Sequence, residues 1–162
     1  EAVFDSVINI GGKITSVLLF LMILNVFFDV IMRYFFRNSS VGMQEMEWHL
    51  FSIIILLGVS VALKDEGHVR VDFLYEKYSV RKKALLNILG TLFFLMPLAL
   101  LIATGSIQFV MDSYSINEIS EDPGGLTHRW IIKSMIPISF TFLIFTAIGY
   151  IVKNINIYRG AK

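Results

Sequence analysis

The sequence predicts an all-α integral membrane protein, built from four transmembrane helices in two hairpins with a short cytoplasmic interfacial helix between them. Three observations carry this expectation. Apolar residues make up 56% of the chain and charged residues 17%, a balance that suits hydrocarbon better than a water-facing surface. Apolar runs of about 20 residues or more, the length that crosses a bilayer core, occur four times. Short polar segments separate them, the middle one being Leu63-Lys-Asp-Glu-Gly-His-Val-Arg-Val-Asp-Phe73, with Gly67 at its centre as a chain reversal.

The first span covers about residues 8–36, longer than a perpendicular crossing requires, so it is tilted or protrudes. Asn25, Asp29, Arg33 and Arg37 follow one another at i, i+4 and form a polar stripe. Asp29 stands one turn before Arg33, the favourable order for a helical ion pair. A polar turn over residues 37–43 leads to the second span, about 44–63. Glu45 and Glu47 open it where acidic groups complement the helix dipole. Trp48 belongs at headgroup level, and Gly58 with Ala62 makes a small-xxx-small surface for another helix.

The elbow, residues 64–79, holds the interfacial helix at about Phe73–Tyr78, with Asp72 as its cap. His68, Arg70 and Asp72 are expected to hold the junction with the second span. The third span, about 80–111, starts with Ser79 as cap, followed by Arg81, Lys82 and Lys83. Cations at a helix N-terminus oppose the macrodipole, so membrane topology accounts for them better than helix energetics. Pro97 should bend this span. Residues 112–127 form the second polar connection, with acids at Asp112, Glu118, Glu121 and Asp122 and no lysine or arginine. Thr127 is expected to cap the fourth span, about 128–152, with Trp130 at the interface and Pro137 inside. Residues 1–162 thus read as one membrane domain.

Cytoplasmic loops carry the lysine and arginine excess. Lys13, Lys64, Arg70, Lys77, Arg81, Lys82, Lys83, Lys153, Arg159 and Lys162 lie on the elbow side, against Arg33, Arg37, Arg129 and Lys133 opposite. Both termini and the elbow are therefore expected in the cytoplasm, with the hairpin tips at 37–43 and 112–127 outside. No basic region with a short apolar core and cleavage site precedes the first long helix, so no removable signal peptide is expected.

A formal net charge of +1 implies no nucleic-acid partner. The absence of cysteine removes disulfides, thiolate metal sites and a cysteine nucleophile. No Ser/His/carboxylate arrangement, phosphate-binding glycine loop or metal-ligand spacing occurs, so an enzyme is not expected, nor a catalytic, metal or cofactor site. Asp29 and Arg33, as intramembrane charges, are functional candidates by default, but their place near the helix end favours a lock between helices. His49 and His128 would be the one pair for a haem between the second and fourth spans. Alternative readings are a self-sufficient four-helix transporter and a membrane anchor or cytochrome subunit.

Several segments together resemble one family. Arg33-Tyr34-Phe35 closes the first span, Glu45 to Trp48 opens the second, and Gly58 leads through Ala62-Leu63-Lys64 to Gly67-His68-Val69-Arg70-Val71-Asp72. In the second half come Glu118-x-Ser120, Pro123-Gly-Gly-Leu126, Arg129-Trp130, Lys133 and Pro137. The pattern resembles the small membrane subunit, the Q-type or DctQ-like protein, of tripartite ATP-independent periplasmic (TRAP) transporters. The resemblance implies a subunit of the bacterial inner membrane that binds a larger M-type subunit and supports uptake of an organic acid delivered by a soluble periplasmic P-type binding protein. Sodium would be used by the complex through the M-type partner, and no substrate-binding residue is expected in this chain. Asp29, Arg33, Trp48, Gly58, Ala62, Gly67, His68, Arg70, Asp72, Pro97, Lys133 and Pro137 are then expected at structural or subunit contacts. Arg37, Glu45, Glu47, Glu118, Glu121 and Asp122 are candidates for contact with the periplasmic subunit.

Overall fold

The computed structural model describes residues 2–65, 75 and 77–160, and among them the chain is helical with no strand. Helix α1 runs Ala2–Phe35, α2 Val41–Lys64 and α3 Val80–Gly90, followed by a π-helical turn Thr91–Leu95, then α4 Met96–Ser115 and α5 Trp130–Gly160. With α3, the π turn and α4 forming one continuous span, four helices are long and apolar enough to cross a membrane. Gly67, His68, Arg70 and Asp72 lie outside the described residues. So does most of the expected interfacial helix, of which Tyr75 and Tyr78 are seen joined by a turn, the Tyr78 amide donating to the Tyr75 carbonyl over 3.1 Å.

Local chemistry sets the boundaries. The stripe expected to continue through Arg37 breaks, because α1 stops at Phe35 and Arg37 adopts a left-handed backbone, φ 51°. The Asn38 amide donates back to the Met32 carbonyl over 3.1 Å, so the chain folds back over the last turn of α1, with arginine in the left-handed position where glycine is usual. Ser40 then caps α2, its hydroxyl accepting from the Met43 amide at 3.4 Å.

Pro97 is accommodated without ending its helix. A proline at that point removes one donor and crowds the preceding turn. The chain widens to π geometry immediately before it, with the Met96 amide donating to the Thr91 carbonyl, five residues back. Such a π turn is a recognised way for a helix to absorb a local misfit.

Helix α5 is the hub. About a third of its most apolar window is buried, against 6% for α1. Ser139, Leu143, Thr146, Ala147, Tyr150 and Asn154 make its buried stripe, a spacing of three and four that keeps one face inward. The elements form a row: α1 packs along α2, α2 along α5, and α5 against both α3 and α4. Helix α1 also reaches α5 directly, where the rings of Phe4 and Phe145 lie 4.6 Å apart.

One polar tie crosses the interior of this row. Asn87 Nδ2 donates to Asn154 Oδ1 at 2.9 Å, while Asn154 Nδ2 donates to the Tyr150 carbonyl at 2.9 Å. Interhelical bonds of this kind in membranes contribute about 0.6 kcal/mol on average and up to about 1.7. The two outer flanks of the row stay apolar and open, with Phe27 63% exposed on α1 and Phe94 79% exposed on the π turn.

Candidate functional site

One set of polar groups gathers at the end of the row where α2 begins and α5 starts. Glu45, on the first turns of α2, reaches across to the connection between α4 and α5. Its carboxylate accepts from the Ser120 hydroxyl with one oxygen and from the Leu126 amide, at 2.5 Å, with the other. That places two charge-assisted bonds between segments about eighty residues apart, the stronger class of hydrogen bond.

The connection itself is tightly wound. The Glu118 amide donates to the Ser113 carbonyl, Ser120 to Leu126, Gly125 to Asp122 and Arg129 to Glu118, each at 3.0 Å. Asn117 (φ 47°), Gly124 (φ 85°) and His128 (φ 60°) supply the left-handed residues that such reversals need. The fold also requires near contact: a β-carbon on Gly42 would lie 3.3 Å from the Gly124 carbonyl. Thr127 therefore does not cap the last helix. Left-handed His128 and the Arg129 amide, which is committed to Glu118, delay the helix to Trp130.

Glu118 is the second anchor. It accepts from the Lys133 ammonium, and Arg129 Nε lies 4.0 Å from its other oxygen. Lys133 is also placed over the ring of Phe109, 4.1 Å from its centroid, so one cation joins the connection, α4 and α5. The hydrogen bond from Lys133 is the chief cause that holds the Glu118 carboxyl below its ordinary value, and the Lys133 and Arg129 charges add to it. A depressed carboxyl contributes stability that is present above its unfolded value and is lost as pH falls through the folded one. Closure of the connection is thus expected to weaken below about pH 4.5, the ordinary carboxyl value. Amide exchange of residues 116–129 followed against pH checks this, and Glu118→Gln is expected to remove part of the dependence; an identical profile in the variant would contradict it.

The sequence candidates divide on this geometry. Glu45 and Glu118 face inward and hold the connection, whereas Glu121 and Asp122 are exposed on it, beside Ile116 and Ile119, which are 72% and 61% exposed. Glu47 and the exposed Trp48 line a shallow depression of about 270 Å³ with Met22 and Phe51. Asp29 is buried at 3% exposure and accepts from the half-exposed Arg33 guanidinium. One turn away, Asn25 Nδ2 donates to the Met43 carbonyl at 3.0 Å and ties α1 to the start of α2. Gly58 has open space where a β-carbon would be, while Ala62 lines a groove against the third span. Pro137 sits within α5, where its carbonyl accepts from Thr141 Oγ1 at 2.7 Å.

At the opposite end, Lys64 donates to Asn9 and lies 3.9 Å from Asp5, joining α2 to α1. Sequence reasoning did not single out Asn9, Asn87 or Asn154. An asparagine inside an apolar run is a signal that a partner must exist, and it could have marked Asn87, which stands between Leu86 and Ile88. Among the described residues, no three His, Asp or Glu side chains are grouped so as to hold a metal ion. His128 Nδ1 is 2.8 Å from the Thr127 hydroxyl.

The sequence pattern of the family described as tripartite ATP-independent periplasmic transporters, DctQ component, matches residues 22–156, which include Glu45, the whole α4–α5 connection and the Asn87–Asn154 pair. A protein of Haemophilus influenzae, provisionally named TRAP transporter small permease protein, is 31% identical over 111 residues, or 68% of this chain and 69% of that one.

Proposed function

The chain belongs to the DctQ-component family of TRAP transporters, a small permease subunit of the inner membrane, and from that premise we propose that it is a scaffold for a larger M-type membrane subunit. The observation that carries this reading is the row of helices. A row with one well-buried helix leaves two apolar flanks on which a second helical membrane protein can pack, and packing of this kind depends on shape and close approach rather than on burial from water. In this reading sodium and substrate are handled by the larger subunit. Transport sites usually lie at the midplane among broken helices, whereas the π turn before Pro97 leaves its span continuous.

The orientation follows from the charges. Helix ends carrying Lys64, Arg81, Lys82 and Lys83 are cytoplasmic, and the connection pinned by Glu45 and Glu118 faces the periplasm. The exposed Glu121 and Asp122, with Ile116 and Ile119, then meet a soluble P-type binding protein that delivers an organic acid. Acidic rims of this sort steer and orient a partner more than they tighten it.

The test is co-expression of the tagged chain with the large permease of the same transporter, followed by purification in mild detergent and reconstitution. A stable complex whose sodium-driven uptake is lost when this chain is omitted is expected. Replacing Glu121 and Asp122 by their amides should slow uptake and make it less sensitive to salt, with the membrane complex intact. Transport by this chain alone, or full transport without it, would overturn the proposal.

A further inference from the structure

We propose that the groove between α2 and the third span holds an acyl chain of an anionic phospholipid, whose phosphate is bound by Lys83 with Arg81 and Lys82 beside it. The groove has a volume of about 650 Å³ and is walled by Val59 and Ala62 on one side and by Leu86, Gly90, Phe94 and Leu98 on the other. A β-carbon at Gly90 would meet nothing within 4 Å, so the wall is open at this position. The lining is mostly hydrocarbon, with Asn87, Thr91 and two tyrosines as its polar members, which fits an acyl chain.

Cations stand beside one end of the groove, reached through Tyr75 of its lining. Lys83 stands three and four residues before Leu86 and Asn87 on α3, hence on the same helix face as the groove. Its Nζ lies 5.1 Å from the centroid of Tyr75, and Tyr75 itself lines the groove and donates its hydroxyl to Asn87 Oδ1 at 3.2 Å. The ring therefore holds the ammonium at the entrance. Arg81 and Lys82 are exposed beside it, Arg81 lying 6.0 Å from the Tyr158 ring. Among the described residues, no carboxylate forms an ion pair with any of the three.

Three cations at the positive end of a helix repel one another and the dipole. A phosphate at that point relieves both, and it arrives with an apolar tail for which the adjoining groove has room. Charge complementarity thus selects an acidic phospholipid over a zwitterionic one. Each cation near a membrane surface contributes about a fivefold preference for an anionic lipid. The inference rests on α3 beginning at the membrane surface and needs no assumption about the larger subunit.

The test measures lipid retained by the full chain. The purified protein is exchanged into mixed phosphatidylglycerol and phosphatidylcholine of identical acyl chains, and co-purifying lipid is counted by native mass spectrometry. The wild type should retain phosphatidylglycerol about fivefold or more over phosphatidylcholine. Lys83→Gln should reduce that preference about fivefold, Lys83→Arg should keep it, and Gly90→Leu should lower retention of both lipids by filling the groove. Circular dichroism establishes that each variant is folded. Equal retention of the two lipids by the wild type, undiminished preference in Lys83→Gln, or normal retention in folded Gly90→Leu would each overturn the proposal. If Gly90→Leu instead blocks association with the large permease while lipid retention is unchanged, the groove seats a helix and the lipid assignment falls.

Discussion

Replacing Gly125 with valine is expected to lift the α4–α5 connection off α2. A β-carbon at this position would lie 2.5 Å from both Cβ and Oγ of Ser120 and 2.8 Å from Glu45 Oε2. Those atoms are the bridge between the two segments, since Ser120 and the Leu126 amide both donate to Glu45. The clash cannot be relieved by swinging one flexible side chain, because the Ser120 β-carbon is fixed to the backbone. Overpacking of this kind costs about 1–3 kcal/mol, and it should be read as faster amide exchange at Ser120, Gly125 and Leu126. Gly124→Ala is the control. Its φ of 85° makes any side chain unfavourable, yet a β-carbon there would meet open space, so the cost is about 1–2 kcal/mol and the bridge to Glu45 stays.

The second large effect is expected at Gly149, where α1 meets α5. A β-carbon there would lie 2.9 Å from Cγ and 3.0 Å from Cβ of Phe4. These atoms sit close to the α1 backbone, so Gly149→Val should push the whole start of α1 away from α5, at about 1–3 kcal/mol. Gly11→Ala offers an instructive contrast. Its β-carbon would lie 2.8 Å from Phe142 Cζ, the far end of a side chain that can swing aside about its Cα–Cβ bond. Denaturation in a detergent series should therefore rank Gly149→Val well below Gly11→Ala in stability. Equal losses would mean that α1 is not seated on α5 through Phe4.

The same geometry explains what could be read without a structure. Four spans were legible because an apolar run of membrane length needs no tertiary context to be recognised. Their order in the row was not. Helices that are apolar all round carry no stripe to distinguish lipid from protein, and the buried positions of α5 are small or polar, as Ser139, Thr146 and Asn154 show. Glu45 was identified as a candidate, but its role depends on Ser120 and Leu126, 75 and 81 residues away. Sequence spacing could not join them. The misplaced cap at Thr127 and the stripe extended to Arg37 have a common cause: His128 and Arg37 both take left-handed conformations that propensity assigns to glycine or asparagine.

For the site, the inner role of Glu118 was likewise hidden. In sequence it is one of four acids in a connection without lysine or arginine, which reads as a solvated rim. In the structure it is matched by Lys133 and Arg129, which begin the next span. With Asp112 accepting from Gln108 on α4, the exposed acids that remain on the loop, Glu121 and Asp122, are a smaller surface than the sequence suggested. Their isolation from the bridging pair makes them separable by mutation.

As a scaffold, the helix row has one flank that another membrane protein covers. Because the chain has no cysteine, single cysteines at Phe27 on one flank and Leu101 on the other can carry spin labels without background. Accessibility to a lipid-soluble relaxation agent should be high at both positions in the isolated chain. On assembly with the large permease it should fall at one flank and stay high at the other. Unchanged accessibility at both flanks in a complex that still transports would contradict the scaffold reading.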